Sequence, residues 1–487
     1  MTENLRPLLP LQLADVPPTL RRILSQDGVP FEEFGTSPRA GRFVLFDSLR
    51  SAKPPVAAGQ ETIDIAELRR DFSVDPFDQL DDMTTARTWW QVGSWTAAES
   101  TARVDKGSLR TAVLEKLRNR IESRGGVWMR LAPVPYPYRS AFNFRFDHDE
   151  FVAADFHAVR AAITGYEEAT THFICAATHE QGGHALQTLR GCDVGSHGYL
   201  HHTYATFSEN RLNIARGIES LRRHGFEPSG FAAPHGRFHA ASAVATASLG
   251  ITHGSEFAAA YDDRPYFPAG NVVLQLPIHP VCLGIVLEAA AASGDCDEAV
   301  RACAAEAVAE HFVTVAHTKR ELGEPIFLYG HPDGRLGRYP QILHRVLSTV
   351  ADWSDVWRTT LTEFQRWWRA RATVTVRVYA ATKGFEIRDA VLPNGFKIGM
   401  QWISEAGEAS FALTAAPQVV TRTNTAFRPI ARSQVPRPVR VDSQRSWRER
   451  LRSALDWEYV TPIEQIDVSR WQGRLKRSLR RWKARAA

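Results

Sequence analysis

Hydrophobic and polar positions alternate sharply in the stretch Ala141 to Glu150, AFNFRFDHDE. Phe142, Phe144 and Phe146 fall on one side of the chain and Asn143 and Arg145 on the other, the period of a strand with one buried face. Similar short apolar runs recur at His172 to Ala176, Val194 to Ser196, Gly230 to Ala233, Ile251 to Phe257, Val272 to Ile278 and Ile326 to Tyr329. Between them the period lengthens to that of helices, over Ala153 to Thr164, Ser208 to His224, Glu298 to Glu321 and Tyr339 to Asp352. Gly225 is placed to stop the second of these. Repeated alternation of strand and helix predicts an α/β fold whose parallel sheet closes, or nearly closes, into a barrel.

The flanks have a different texture. Residues 1–132 predict a separate small α/β domain, with strands at Arg42 to Phe46 and Thr62 to Ile65 and a helix from Leu109 to Arg124 closed by Gly125-Gly126. Trp89, Trp90, Trp95 and Trp128 fill the core of that domain on one reading and form a platform for sugar rings on another; the area each ring buries favours the core. The run from Pro133 to Tyr138 has a proline at every second position and predicts a stiff connector before the barrel at 138–370. A β-rich appendage follows at 372–430, where Asn394-Gly395 has the chemistry of a hairpin turn. In the last segment, 440–487, Trp447, Leu451 and Leu455 share one helical face, as do Trp471, Leu475, Leu479 and Trp482, with Arg and Lys opposite the second set.

Composition sharpens this picture in four places. A chain of 487 residues, 44% hydrophobic and 23% charged, suits a globular protein of two or three domains and excludes a disordered one. Met1 to Leu13 has no signal-peptide core and no apolar run spans a bilayer, so the expected compartment is the cytoplasm. Cys175, Cys192, Cys282, Cys296 and Cys303 form an odd set without metal-ligand spacing, as expected of reduced thiols. The net charge of +5 comes from the end of the sequence, because from Trp471 onward there are seven Lys or Arg and no acid. The remainder is close to neutral, so the charge does not describe the substrate, and no nucleic-acid partner is expected. A basic helix carrying Trp and Leu on one face predicts peripheral contact with an anionic membrane.

Candidate chemistry gathers where strands end. Asp147 and Asp149 stand at i and i+2 at the end of the first barrel strand and can point the same way. His197 and His201 stand at i and i+4 and would share a face on a helical turn. One Asp and two His make a three-ligand set for a catalytic divalent metal that leaves positions open for water and substrate.

The ordered motifs FDHD, SHGYLH, APHG and LYGH resemble those of the polysaccharide deacetylases, the metal-dependent carbohydrate esterases that include chitin and peptidoglycan deacetylases. That resemblance implies a distorted (β/α) barrel and a hydrolase of carbon–nitrogen bonds other than peptides, removing acetyl groups from an N-acetylated sugar or glycan, lipid-linked on the strength of the basic tail. It implies Asp147 as catalytic base, His331 as general acid, and Asp149, His197 and His201 as ligands of Zn²⁺, with Co²⁺ or Ni²⁺ as substitutes. Pro234, His235, Asp262 and His279 become candidates to line the substrate pocket. Asp262 or Asp263 falls where the family has an Asp that orients the acid His, although the same residues read as an ordinary turn. His148, Glu150, His202, His235 and His239 crowd the same motifs as supporting or substrate-facing groups. One departure stands out: the family's Arg that tunes the base is Ala232 here, and Arg145 or Arg237 must replace it. Hydrolysis of small non-sugar amides and carbohydrate binding without catalysis are the other readings of these motifs.

Overall fold

The computed structural model describes residues 7–36, 41–268, 270–293, 297–431 and 433–442, together with 471, 474, 475, 478, 479 and 482. Its centre is a parallel sheet whose strands are β1 (Ser140–His148), β2 (Thr170–Ile174), β3 (Asp193–Ser196), β4 (Gly230–Phe231), β5 (His253–Gly254), β6 (Leu274–Gln275), β7 (Ile326–Gly330) and β8 (Val356–Arg358). The hydrogen-bonded order is β6-β5-β4-β3-β2-β1-β7, and β8 also pairs with β1. The His279 N–H donates to the Phe327 carbonyl at 2.9 Å and ties the segment after β6 to β7. The sheet thereby curls into an incomplete barrel, as the strand–helix alternation predicts.

β1 is buried on both faces, not on one. A central strand of a parallel sheet is covered on both sides, so its alternation separates a helix-facing side from a barrel-facing side. Phe144 packs edge-on against Phe312 of the helix Glu298–Leu322, with ring centroids 5.8 Å apart. Arg145 points the other way, its guanidinium lying 5.3 Å from the Phe173 ring centroid and 5.5 Å from that of Tyr329. Its NH1 group donates across the barrel to the Ser255 carbonyl, just past β5.

The helices begin and end where local chemistry dictates. Phe207–Arg223 starts behind Thr206, whose hydroxyl accepts from the Glu209 N–H. Glu298–Leu322 starts behind Asp297 and stops at Gly323, which has φ +68°. Sequence periodicity places both within a few residues; it gives no sign of β8 or of the helices Leu283–Ala292 and Leu361–Ala372.

Among the described residues, four smaller sheets lie around the barrel. Phe31–Glu33, Leu11–Ala14, Phe43–Phe46 and Glu61–Asp64 form a parallel sheet wholly from the first part of the chain. The other three each draw strands from before and after the barrel: Pro7–Leu9 pairs with Thr375–Ala381, Trp128–Leu131 with Gly399–Ser404, and Thr85–Val92 with Arg440–Val441. The proline-rich run is accordingly packed in place, with Tyr136 donating its N–H to the Lys397 carbonyl. Asn394-Gly395 does not close a hairpin, because the strands on either side, Gly384–Val391 and Gly399–Ser404, belong to different sheets. Trp90 and Trp128 are core residues, while the Trp89 ring is covered by the guanidinium of Arg440.

Candidate metal and catalytic site

Side chains on β1 alternate through its end. Asp147 and Asp149 emerge together, and His148 turns away, its Nε2 2.9 Å from Nδ1 of His172 and its ring near His179. His148 is therefore not substrate-facing, since the two-residue period places it on the helix side.

His197 follows β3, and His201 lies four residues on. The connecting residues form a bend rather than the helical turn that their spacing suggested. Gly198 takes φ +87°, where a side chain would be strained, and a Cβ on Gly217 of the facing helix would lie 2.7 Å from the Gly198 backbone. Asn213, on the same helix, fastens the bend: its Nδ2 donates to the carbonyls of Leu200 and His202 at 3.0 and 3.1 Å, and its Oδ1 accepts from Leu200 N–H at 2.8 Å. The two imidazoles thus converge by backbone bending and Asn213 bridging, with ring centroids 4.9 Å apart.

The donor atoms of Asp149, His197 and His201 all lie within 4.8 Å of one another. Nε2 of His197 and Nε2 of His201 are each 3.2 Å from Oδ1 of Asp149. Three donors about 2 Å from a tetrahedral ion would stand roughly 3.3 Å apart. The His197 Nδ1–H donates to the Ala232 carbonyl at 2.8 Å, which leaves the Nε2 lone pair facing Asp149. Nε2 of His197 and Oδ1 of Asp149 are buried without a hydrogen-bond partner, so these residues fit a divalent cation. Burial would raise Asp149, but His331 and His201 hold it well below the usual carboxylate range; burial lowers His201, but Asp149 outweighs it and raises the imidazole.

Asp147 is enclosed and clamped by Arg145 of its own strand. Nε of Arg145 donates to Oδ1 at 2.6 Å and NH2 to Oδ2. Burial alone would raise Asp147, yet the adjoining guanidinium and His197 keep it below the ordinary value. Arg145 thus supplies the guanidinium that Ala232 does not. Arg237 lies instead near Glu99.

Nε2 of His331, just past β7, lies 3.6 Å from Oδ2 of Asp149. Burial pushes His331 down to about 4 against the opposing pull of Asp149, so the resting imidazole is neutral near pH 7. Asp333 follows, pushed up to about 7 by burial and by Asp149. Pro234 is buried, and the His235 ring lies 4.6 Å from that of His201, at the site.

Asp262 and His279 are not at the site's surface. Both are completely enclosed: Oδ2 of Asp262 is 3.0 Å from Nδ1 of His279, Lys319 donates to Oδ1, and Nε2 of His279 faces Nε2 of His311 at 2.9 Å. The place expected of them on the pocket wall falls away because this buried cluster, roofed by Trp90, satisfies them. Asp262 therefore contacts His279 and Lys319 rather than His331. Among residues the sequence left unmarked, Asn213 reads as an ordinary helix polar group and Glu256 as a loop acid. Glu256 is buried beside Arg145, its Oε1 accepting the Ala233 N–H at 2.7 Å and burial raising its carboxyl well above the usual range.

The chain resembles solved polysaccharide deacetylases. A structure from Mycobacterium smegmatis assigned as a polysaccharide deacetylase is 20% identical, over 52% of this chain and 97% of its own, with a TM-score of 0.42. Puue allantoinase is 17% identical over 49% and 93% of the two chains, at 0.37. The chitin deacetylase of Colletotrichum lindemuthianum is 14% identical over 47% and 88%, at 0.34. No protein-family model and no curated protein sequence matches the chain.

Proposed function

We propose that this chain is a metal-dependent hydrolase that removes acetyl groups from an N-acetylated sugar or glycan. The supporting observation is the convergence of Asp149, His197 and His201 on one point beside an enclosed, ionised Asp147. The acetylated-sugar substrate rests on the motif resemblance.

A divalent ion held by Asp149, His197 and His201, with Zn²⁺ the first choice for mixed O and N donors, supplies Lewis acidity toward the acyl oxygen and makes water acidic near neutral pH. The protein's own residues do the rest. Asp147 accepts the proton of the attacking water; Arg145 uses one lone pair on each of its oxygens, and each retains another. The same clamp fixes the carboxylate plane, so the base does not rotate away from its proton. His331, neutral at rest, becomes the donor to the departing amine once it has gained a proton during turnover. Ala232 contributes through its carbonyl, which sets the His197 tautomer. The side chain missing at that position is replaced by Arg145, reaching Asp147 from two residues away on β1.

The test is release of acetate from a panel of N-acetylated sugars by the metal-loaded protein, alongside release of ammonia from small amides. Acetate release abolished in Asp147→Asn supports the proposal. Turnover of the amides alone would assign the site to the other hydrolase class.

A further inference from the structure

We propose that the basic segment from Trp471 is a docking element for an anionic phospholipid surface. Trp471, Arg474, Leu475, Ser478, Leu479 and Trp482 are helical. At about 100° per residue, Trp471, Leu475, Leu479 and Trp482 fall within an arc of about 80° on one side of such a helix. The four described side chains of this face are exposed, Trp471 and Trp482 by 59% and 70% and Leu475 and Leu479 by 38% and 41%. None of the four belongs to a hydrophobic core cluster.

Two independent features select the occupant. The sequence from Trp471 to Ala487 holds seven Lys or Arg and no acid, whereas the rest of the chain carries 52 basic against 54 acidic residues. The complementary partner is therefore polyanionic. A row of two Trp and two Leu also needs an apolar medium, which the acyl boundary beneath lipid headgroups provides and a nucleic-acid backbone does not. Indole rings favour that boundary because their N–H group stays with the headgroups while the ring is buried. Among the described residues no helix is long and apolar enough to cross a membrane, so the contact is with the surface. This inference stands apart from the reaction proposed above and survives its failure. If both hold, they favour a glycan presented at a membrane.

The experiment is co-sedimentation of the full chain with vesicles of phosphatidylcholine alone, and of equal parts phosphatidylcholine and phosphatidylglycerol. Binding is expected only to the anionic vesicles and to weaken several-fold when salt is raised from about 0.1 to about 0.5 M. Removing residues 470–487 should lower it by about a hundredfold or more. The double variant Trp471→Ala/Trp482→Ala, which alters only exposed side chains, should lower it about tenfold with an unchanged melting temperature. Binding that survives the truncation would overturn the proposal, as would binding that ignores the Trp substitutions. Capture by duplex DNA at least as tight as by the anionic vesicles would overturn it too.

Discussion

Replacing Arg145 by methionine would leave the Asp147 carboxylate enclosed without its counter-charge. Removing one partner of a buried pair costs about 3–5 kcal/mol, and the orphaned carboxyl would take up a proton near neutral pH. The expected result is a melting temperature many degrees lower and acetate release reduced by about a hundredfold or more, with zinc still bound because the three ligands are untouched. Zinc content measured beside activity separates this loss from general unfolding. Glu99 offers a pH test. Burial pushes its carboxyl up to about 7, with nearby Glu288 adding to the rise against the Ser100 N–H bond and Arg237. Its folded value lies above its unfolded one, so its contribution is present in acid and is lost as pH rises from the unfolded value through about 7. Glu99→Gln should therefore melt higher than the parent at pH 8, by on the order of 1 kcal/mol, and equally at pH 4. At this scale the sequence was informative about residue type and poor on direction. The order of Asp147, His148 and Asp149 along a strand predicts two carboxylates facing one way, and they do; the same period removes His148 from the site. Whether Arg145 or Arg237 serves Asp147 depended on a distance, which no sequence pattern carries.

The elements carrying the site show where periodicity stops helping. The spacing of His197 and His201 allows a helical turn, yet Gly198 at φ +87° breaks any helix there. Convergence is achieved by Asn213 reaching out from the helix Phe207–Arg223 to three backbone groups of the bend. Asn213→Ala removes those bonds and leaves buried backbone groups unpaired, a loss of about 1–3 kcal/mol. Because the bend aims both imidazoles, zinc affinity should fall by about 10- to 100-fold with Asp149, His197 and His201 all intact. Competition with a chelator measures this, and unchanged affinity would show that the bend holds its shape without Asn213. β8 leaves no signature for a simpler reason: a three-residue strand has too few positions to show a period.

Over the whole molecule, the parallel sheet was legible because a strand and the helix after it leave adjacent signatures in the sequence. The surrounding sheets were not, since three of them pair segments from opposite ends of the chain and hydrophobic alternation names no partner. A buried ion network joins the first part of the chain to the barrel. Asp27 lies 2.8 Å from Arg130 and 2.5 Å from Arg264, with Arg110 at 3.6 Å; Arg110 also bonds Asp263 at 3.0 Å. Burial would raise Asp27, but Arg130, Arg264 and Arg110 together bring it down to about 2. The folded value lies below the unfolded one, so the stability it supplies is present above pH 4 and is lost as pH falls through about 2. Asp27→Asn should cost about 3–5 kcal/mol at pH 7 and progressively less in that acid window, read from denaturant midpoints. The proposed reaction requires that three side chains from two distant stretches hold one ion. The most direct test is elemental analysis of the purified protein after dialysis against a trace of zinc, with His197→Ala and His201→Ala beside the parent. One zinc per parent chain and none in either variant is the predicted result; equal metal in all three, or none in the parent, would contradict it.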